Sequence, residues 1–148
     1  LNGKLKKFKI FNLSPMNNKA KNCTKILGKV TGGNLTCIIS TIGTPWQINT
    51  TKKILLLEDT SVSGYHLDRL LTHMNNSGLF KNIAAIIFGD FGCDVSKILN
   101  EFSKKINIPV YKSDNFGHKK NNLPFGYGFD GIIKKENINS FNIEMTPQ

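Results

Sequence analysis

The sequence predicts a mixed α/β fold formed by one domain spanning residues 1–148, with about three helices. In the middle of the chain, short apolar runs typical of buried strands alternate with segments whose apolar residues recur at helical spacing. Both ends of the chain carry strand-like segments only. The length of 148 residues and the hydrophobic content of 39% are enough for a sizeable core, which at this length buries roughly two-thirds of the unfolded surface.

The strands are predicted from apolar runs that end at glycine, proline, asparagine or charged residues. They fall, in chain order, at residues 4–13, 25–30, 53–57, 83–88, 108–111, 127–133 and 138–145. Pro15 and the pair at 17–18 close the first strand, and the polar residues 134–137 divide the last two. A glycine-rich polar loop, residues 117–126, separates the fifth strand from the sixth.

The three helices are predicted from apolar residues spaced three and four apart. The first covers 35–42, with Asn34 as its N-cap and Gly43 as its stop; the second starts near 63–64 and stops near Gly78. Asp94 is predicted to cap the third helix, which runs to about Ile106.

The chain is basic, with 20 Lys plus Arg against 10 Asp plus Glu and a formal net charge of +10. All of these cations except Arg69 are lysines, whereas readers of bases and phosphates rely on the bidentate arginine guanidinium. We therefore expect no nucleic-acid partner, although a positive field can raise the local concentration of an anionic ligand.

Cys23, Cys37 and Cys93 are odd in number and lack metal-ligand spacing, so we expect reduced, mostly buried thiols and no metal site. No apolar run approaches the roughly 20 residues that cross a bilayer, and the first residues lack the apolar stretch of a signal peptide. We expect no membrane association. Because the chain begins at Leu1 rather than Met, we also expect it to be a piece of a longer protein.

Two ionisable residues stand out as candidates for chemistry. Glu58 directly follows a strand of three leucines, where a buried backbone holds a side chain rigidly at the edge of a sheet. His118 lies in the loop rich in glycine and asparagine. The alternatives are that Glu58 or Asp59 caps the next helix or pairs with Arg69, and that His118 is a solvated loop residue.

The remaining candidates carry weaker signals. His66 and His73 lie seven residues apart on the second helix and are explained as surface residues. The turn at 32–34 opens a helix and could hold an anion, but no nucleotide-binding motif accompanies it. No serine stands in a recognisable nucleophile context, so a glutamate and a histidine form two-thirds of a catalytic triad.

Four ordered blocks of sequence resemble a known family. They are GGNLTCIISTIGTPW (32–46), KILLLEDTSVSGYHLDRLL (53–71), GLF…IAAIIFGDF (78–91) and GH…LPFG (117–126). Together they are similar to the LD-carboxypeptidases, serine peptidases that include muramoyltetrapeptide carboxypeptidase and the microcin-immunity peptidases. The resemblance covers only the C-terminal domain of that family.

The resemblance implies a swivelling β/β/α domain with a mixed sheet or barrel-like strands. It implies that Glu58 and His118 are the glutamate and histidine of a Ser-Glu-His triad whose serine lies in a separate N-terminal domain. The implied reaction is the removal of the terminal D-alanine from murein tetrapeptide during cytoplasmic cell-wall recycling, without metal or cofactor.

The partners implied by the resemblance are the murein tetrapeptide substrate, the N-terminal nucleophile domain in cis or in trans, and a second copy of the chain in a homodimer. A second hypothesis, from a different functional class, stays open at this point. In it, the chain is a non-catalytic relic domain that binds murein peptides or a protein partner.

Overall fold

A computed structural model describes residues 7–60 and 62–147, without the side chain of Phe11. The elements in this part of the chain are β1 (Phe8–Pro15), α1 (Asn18–Asn22), β2 (Lys25–Asn34), α2 (Leu35–Ser40), β3 (Lys53–Glu58), α3 (Gly64–Asn76), β4 (Ala85–Phe88), α4 (Ser96–Lys105), β5 (Val110–Lys112), β6 (Asp130–Asn137) and β7 (Ser140–Thr146). None of these helices has the length and apolar character needed to span a bilayer.

The seven strands form a closed barrel in the order β1-β5-β4-β3-β2-β6-β7, with β7 pairing back onto β1. The pairs β2–β3, β3–β4 and β4–β5 are parallel, while β1–β5, β1–β7, β2–β6 and β6–β7 are antiparallel. Helices α3 and α4 belong to the crossovers between the parallel strands, because parallel strands need such connections. The predicted mixed α/β class with barrel-like strands is confirmed.

Strand β3 is buried on both faces, and its alternate residues belong to two separate cores. Ile54 and Leu56 point into the barrel, where side chains from all seven strands meet. Leu55 and Leu57 point outward and pack beneath the helices, against Leu67 of α3 among others. This double burial explains why β3 reads as an uninterrupted apolar run rather than an alternating one.

Some element boundaries differ from the sequence predictions. A fourth helix, α1, was not predicted; it is one short turn capped by Asn17, whose Oδ1 accepts from Ala20 N. Asp94 does not cap α4 as predicted, since the N-cap position is Val95 and Asp94 Oδ1 instead accepts from Ser96 N. The predicted first strand began within residues 1–6, and this part lies outside the described residues.

The hairpin that joins β6 and β7 turns later than predicted. Residues 134–137 belong to β6, and the pairing of Asn137 with Ser140 places the turn at 138–139. Charged residues on β6 are tolerated because they reach solvent: Lys134, for example, is half-exposed, and its Nζ lies 3.2 Å from Glu144 Oε2. The polar run therefore marked a solvent-facing strand and not a turn.

The glycines at the end of β2 allow a close approach to β3. Gly32 has φ +129°, and a Cβ atom on it would lie 1.9 Å from the carbonyl oxygen of Leu56. Gly33 has φ +135° but has open space where its Cβ would be. Only glycine fits at Gly32, because both the backbone conformation and the neighbouring strand exclude a side chain.

Asp59 ties the carboxyl ends of two parallel strands to α2. Its Oδ1 accepts from Asn34 Nδ2 (3.1 Å) and Thr60 N (2.7 Å), and its Oδ2 accepts from Thr36 N (2.9 Å) and Thr36 Oγ1 (2.7 Å). Asp59 therefore stabilises the preceding helix, not the following one, whose N-cap is Ser63. Burial acts to raise the pKa of Asp59, but these hydrogen bonds outweigh it and lower the pKa below its ordinary value.

We expect Gly32→Ala to destabilise the fold more than Gly33→Ala. Both changes impose backbone strain of about 1–3 kcal/mol, but only Gly32→Ala also drives a Cβ into the Leu56 carbonyl. Urea unfolding of the two variants measures the difference. Equal losses of the free energy of unfolding would contradict the close approach of β2 and β3.

We expect Asp59→Asn to lower the free energy of unfolding by about 1–3 kcal/mol at pH 7, because one amide group cannot accept all four hydrogen bonds. Since the folded-state pKa is lowered, the stabilisation by Asp59 is complete above its unfolded pKa and is lost as pH falls through the folded value. The gap between wild type and variant should therefore narrow below about pH 4. A gap that stays constant from pH 7 to pH 2.5 in urea titrations would rule out this role.

Candidate active site

The two residues selected from the sequence, Glu58 and His118, lie in contact. Glu58 is the last residue of β3, and His118 is in the loop between β5 and β6. His118 Nε2 is 2.5 Å from Glu58 Oε2. Residues that are 60 positions apart in the chain thus form one carboxylate–imidazole pair.

Strand β3 determines where the Glu58 side chain points. Leu56 faces the barrel interior and Leu57 faces the helices, so the alternation of the strand directs Glu58 over the mouth of the barrel. Only 11% of the Glu58 side chain is exposed, whereas 51% of the His118 side chain is exposed. The carboxylate is therefore fixed by its surroundings, and the imidazole presents one side to solvent.

The end of β4 sets the distance between these residues. Gly89 N donates to the Leu57 carbonyl and Asp90 N donates to the Phe116 carbonyl, both at 2.8 Å. A Cβ on Gly89 would lie 2.5 Å from the Phe116 carbonyl oxygen, and one on Gly117, at φ +125°, would lie 2.8 Å from the Cβ of Asp90. The two glycines let the histidine loop pack directly on the strand ends beside Glu58.

Burial and the neighbouring carboxylates oppose ionisation of Glu58. Burial raises the pKa of Glu58 above its ordinary value, and the nearby carboxylates of Asp59 and Asp90 add to this effect, while His118 acts to lower it. Asp90 is itself partly neutralised by Lys119, whose Nζ lies 3.7 Å from Asp90 Oδ1. A positive imidazolium at His118 is thus the charge that favours the ionised form of Glu58.

The Glu58–His118 contact is close but not a well-directed hydrogen bond. Oε2 of Glu58 is fully enclosed, yet no donor in the described part of the chain meets it at hydrogen-bond geometry. In the present arrangement Nε2 faces the carboxylate, and Nδ1 is the nitrogen left for another partner.

A cleft of about 390 Å³ opens beside this pair. The described residues that line it are Glu58, Phe116, Gly117, His118, Asn122, Leu123, Pro124 and Phe125. The lining places an imidazole beside a carboxylate, and among these described residues it includes no serine, threonine or cysteine. An imidazole of this kind can take part in proton transfer, and a nucleophilic reaction here would need a nucleophile from outside the lining.

The alternative roles considered for these residues have different outcomes. The alternative that Glu58 pairs with Arg69 is not what the structure shows. The Arg69 guanidinium lies 5.7 Å from the centre of the Tyr65 ring, and Glu58 contacts His118. His66 and His73 are exposed on α3, as predicted, and line a separate depression of about 540 Å³. They do not line the cleft beside Glu58.

The three cysteines are unpaired, but the prediction that most of them are buried is wrong. Cys37 and Cys93 are exposed and Cys23 is half-buried. Among residues 7–60 and 62–147, no three His, Cys, Asp or Glu side chains come together in a way that could hold a metal ion.

The turn at 32–34 uses its polar side chain for structure. Asn34 Oδ1 accepts from Cys37 N at 3.0 Å, which caps α2, and Asn34 Nδ2 donates to Asp59. The amide of Asn34 is therefore engaged within the fold. Anion binding at this turn stays a prediction.

Asp90 and Asn122 belong to the site and were missed from the sequence. Asp90 follows a buried strand, β4, as Glu58 follows β3, so the same strand-end criterion could have selected it. Asn122 gave no such signal. Its membership depends on how the loop after β5 folds back over the barrel mouth.

The sequence and the fold are similar to those of known proteins. Residues 27–132 match the LD-carboxypeptidase C-terminal domain family. A Rickettsia conorii protein named "Putative carboxypeptidase" is 46% identical over 138 residues, which cover 91% of this chain and 44% of that protein. The murein tetrapeptide carboxypeptidase of Pseudomonas aeruginosa is 28% identical over 119 residues, 74% of this chain and 39% of the relative.

Solved structures show the same fold. A muramoyltetrapeptide carboxypeptidase from Oxalobacter formigenes superposes with a TM-score of 0.79 at 24% identity, over 96% of this chain and 51% of that chain. The microcin C7 self-immunity protein MccF superposes with a TM-score of 0.72 at 26% identity, over 95% of this chain and 41% of that chain.

This chain spans less than half the length of the curated relatives named above. The matched family region extends over most of the described chain and contains β3, β4 and the loop that carries His118. The matched region thus includes both residues of the carboxylate–imidazole pair. The chain belongs to the LD-carboxypeptidase C-terminal domain family.

Proposed function

We propose that this chain is the C-terminal part of a serine-type LD-carboxypeptidase that removes the terminal D-alanine from murein tetrapeptide in the cytoplasm. In this proposal, Glu58 and His118 are two members of a Ser-Glu-His triad. The observation that carries it is the 2.5 Å contact between Glu58 and His118 in a cleft whose described lining residues include no serine, threonine or cysteine. Membership of the carboxypeptidase family supplies the reaction class.

The residue types suit this reaction. A serine from the other part of the protein attacks the carbonyl of the scissile bond while His118 takes its hydroxyl proton. His118 then returns the proton to the departing D-alanine amine, and water releases the acyl group by the reverse route. Glu58 holds the imidazole in one tautomer and stabilises its positive form, so the reaction needs no metal or cofactor.

The arrangement of charges supports this use of Glu58. Because the Glu58 carboxylate is buried and lies near two other acidic side chains, it gains most from its partner when the imidazole is protonated. In the proposed reaction the imidazole takes the serine proton and becomes positive as it does so. The pair is therefore more favourable in the transition state than before it, which is what accelerates a reaction.

A second candidate function is peptide binding without catalysis, and the absence of a hydroxyl or thiol from the cleft lining favours it. The two candidates differ in one requirement. A catalytic half becomes active when a nucleophile is supplied, whereas a binding domain does not.

We expect the chain alone to release no D-alanine from murein tetrapeptide at any concentration. We expect activity when it is mixed with a serine-bearing N-terminal part of an LD-carboxypeptidase, because the two parts together complete the triad. Chromatographic quantification of D-alanine measures both. If the mixture binds the tetrapeptide but releases no D-alanine, the binding-domain function is favoured. Release of D-alanine by the chain alone would contradict the hypothesis that its triad is incomplete.

In the reconstituted protein we expect Glu58→Gln to lower kcat by about 10⁴-fold, the loss known for the analogous change in a serine triad. The amide favours the wrong imidazole tautomer but leaves the fold intact, since a neutral group replaces a buried carboxylate. His118→Ala should cost at least as much, because it removes the proton carrier.

The double variant Glu58→Gln/His118→Ala should be little worse than His118→Ala alone, because losses within a triad do not add. His66→Ala and His73→Ala are matched controls on exposed helix positions and should keep wild-type activity. Losses below about tenfold in the single variants, or losses that multiply in the double variant, would show that Glu58 and His118 do not act as one relay. Thermal unfolding of each variant separates lost catalysis from lost fold.

A further inference from the structure

We propose that Asn122 is the positioning residue for His118 and holds the imidazole against Glu58. This inference rests on the proposed function for the role of His118, and its structural part can be tested without any catalytic assay. Asn122 lies four residues after His118 and lines the same cleft.

Asn122 hydrogen-bonds to both neighbours of His118. Its side-chain Oδ1 accepts from Gly117 N at 3.1 Å, and its backbone N donates to the Lys119 carbonyl at 3.1 Å. The residues before and after His118 are therefore both fixed by Asn122. This restrains the backbone from which the imidazole projects, although the imidazole itself is half-exposed.

The base of the loop is held independently of Asn122. Leu123 N donates to the Asn115 carbonyl at 2.8 Å, and the rings of Phe116 and Phe125 meet edge-to-face with centroids 5.2 Å apart. Removing the Asn122 side chain should therefore free the tip of the loop and leave its base in place.

The other contacts of the loop tip are weaker restraints. Lys119 Nζ lies 3.7 Å from Asp90 and 3.6 Å from Asp114, but the Lys119 side chain is half-exposed. Ion pairs of this kind contribute little because water and salt screen them. The 3.1 Å hydrogen bond from Gly117 N to Asn122 joins two uncharged groups and is not weakened by salt in this way, so we assign the positioning role to the Asn122 carboxamide oxygen.

Asn121 supplies a matched control. It is the same residue type in the same exposed turn, but its side chain makes no hydrogen bond in the described part of the chain and it does not line the cleft. Asn122→Ala removes the acceptor for Gly117 N, and Asn122→Asp keeps an oxygen acceptor in the same place. Asn121→Ala removes an equivalent amide without touching that hydrogen bond.

The test measures how strongly His118 senses Glu58, using NMR of the imidazole ring in the 148-residue chain. In wild type, Glu58→Gln should shift the His118 ring signals. In the Asn122→Ala background the same change should shift them by less than half as much. The Asn121→Ala and Asn122→Asp backgrounds should keep the full shift, because each keeps the acceptor for Gly117 N.

A full Glu58→Gln shift in the Asn122→Ala background would overturn the proposal, and so would a lost shift in the Asn122→Asp background. If Asn122→Ala does not fold, Asn122→Leu takes its place in the same comparison, because leucine has a similar shape and also lacks an acceptor for Gly117 N. Unchanged signals of Phe116 and Phe125 would show that only the loop tip has been freed.

In the reconstituted protein, Asn122→Ala should lower kcat by roughly 10- to 100-fold with little change in KM, as expected when a catalytic group is misplaced and substrate binding is intact. Asn122→Asp should recover part of that loss. If the wild-type mixture releases no D-alanine, the proposed function fails, while the NMR comparison still decides whether Asn122 positions His118.

Discussion

The close packing of the histidine loop on the end of β4 is the constraint on which the site depends. Main-chain hydrogen bonds link Leu57 to Gly89 and Asp90 to Phe116, so the residues next to Glu58 and His118 are fixed through β4. No side chain fits at Gly89 or Gly117, where a Cβ would come within 2.8 Å of its neighbours. Backbone contacts thus fix the position of Glu58 relative to His118 at the barrel mouth. Side-chain contacts alone could not hold that position to a few tenths of an ångström.

The barrel explains why such a mouth exists. Four neighbouring strands, β2 to β5, run parallel, and their carboxyl ends meet at one edge where loops approach each other. The interior is filled with side chains from every strand, so the cleft beside Glu58 lies on top of a packed core. Asp59 joins the ends of β2 and β3 through its hydrogen bonds and keeps that edge rigid.

The two residues of the pair differ in their exposure to solvent. Glu58 is enclosed and surrounded by acidic neighbours, while His118 is half-exposed beside an open cleft. Such a pair is suited to receive a proton from a group that approaches from the solvent side. This chain covers less than half of the curated relatives named above, and the described residues of the cleft lining include no serine, threonine or cysteine. Both facts support our proposal that this group is carried by another part of the protein.

The sequence by itself determined the alternation of β3, β4 and the two long helices, and it singled out Glu58 at a strand end; His118 was selected through the family resemblance. These features are local, since a buried strand, a helix cap and a strand-end carboxylate each leave a pattern within about ten residues. The family resemblance implied barrel-like strands and a pairing of Glu58 with His118. The distance between these two side chains, the closure of seven strands into one barrel and the places of Asp90 and Asn122 in the site were decided only by the tertiary structure. These features depend on which strand ends and loops meet in the fold, and Glu58 and His118 are 60 residues apart in sequence. No local sequence pattern determines such distances, because they are set by how the whole chain folds.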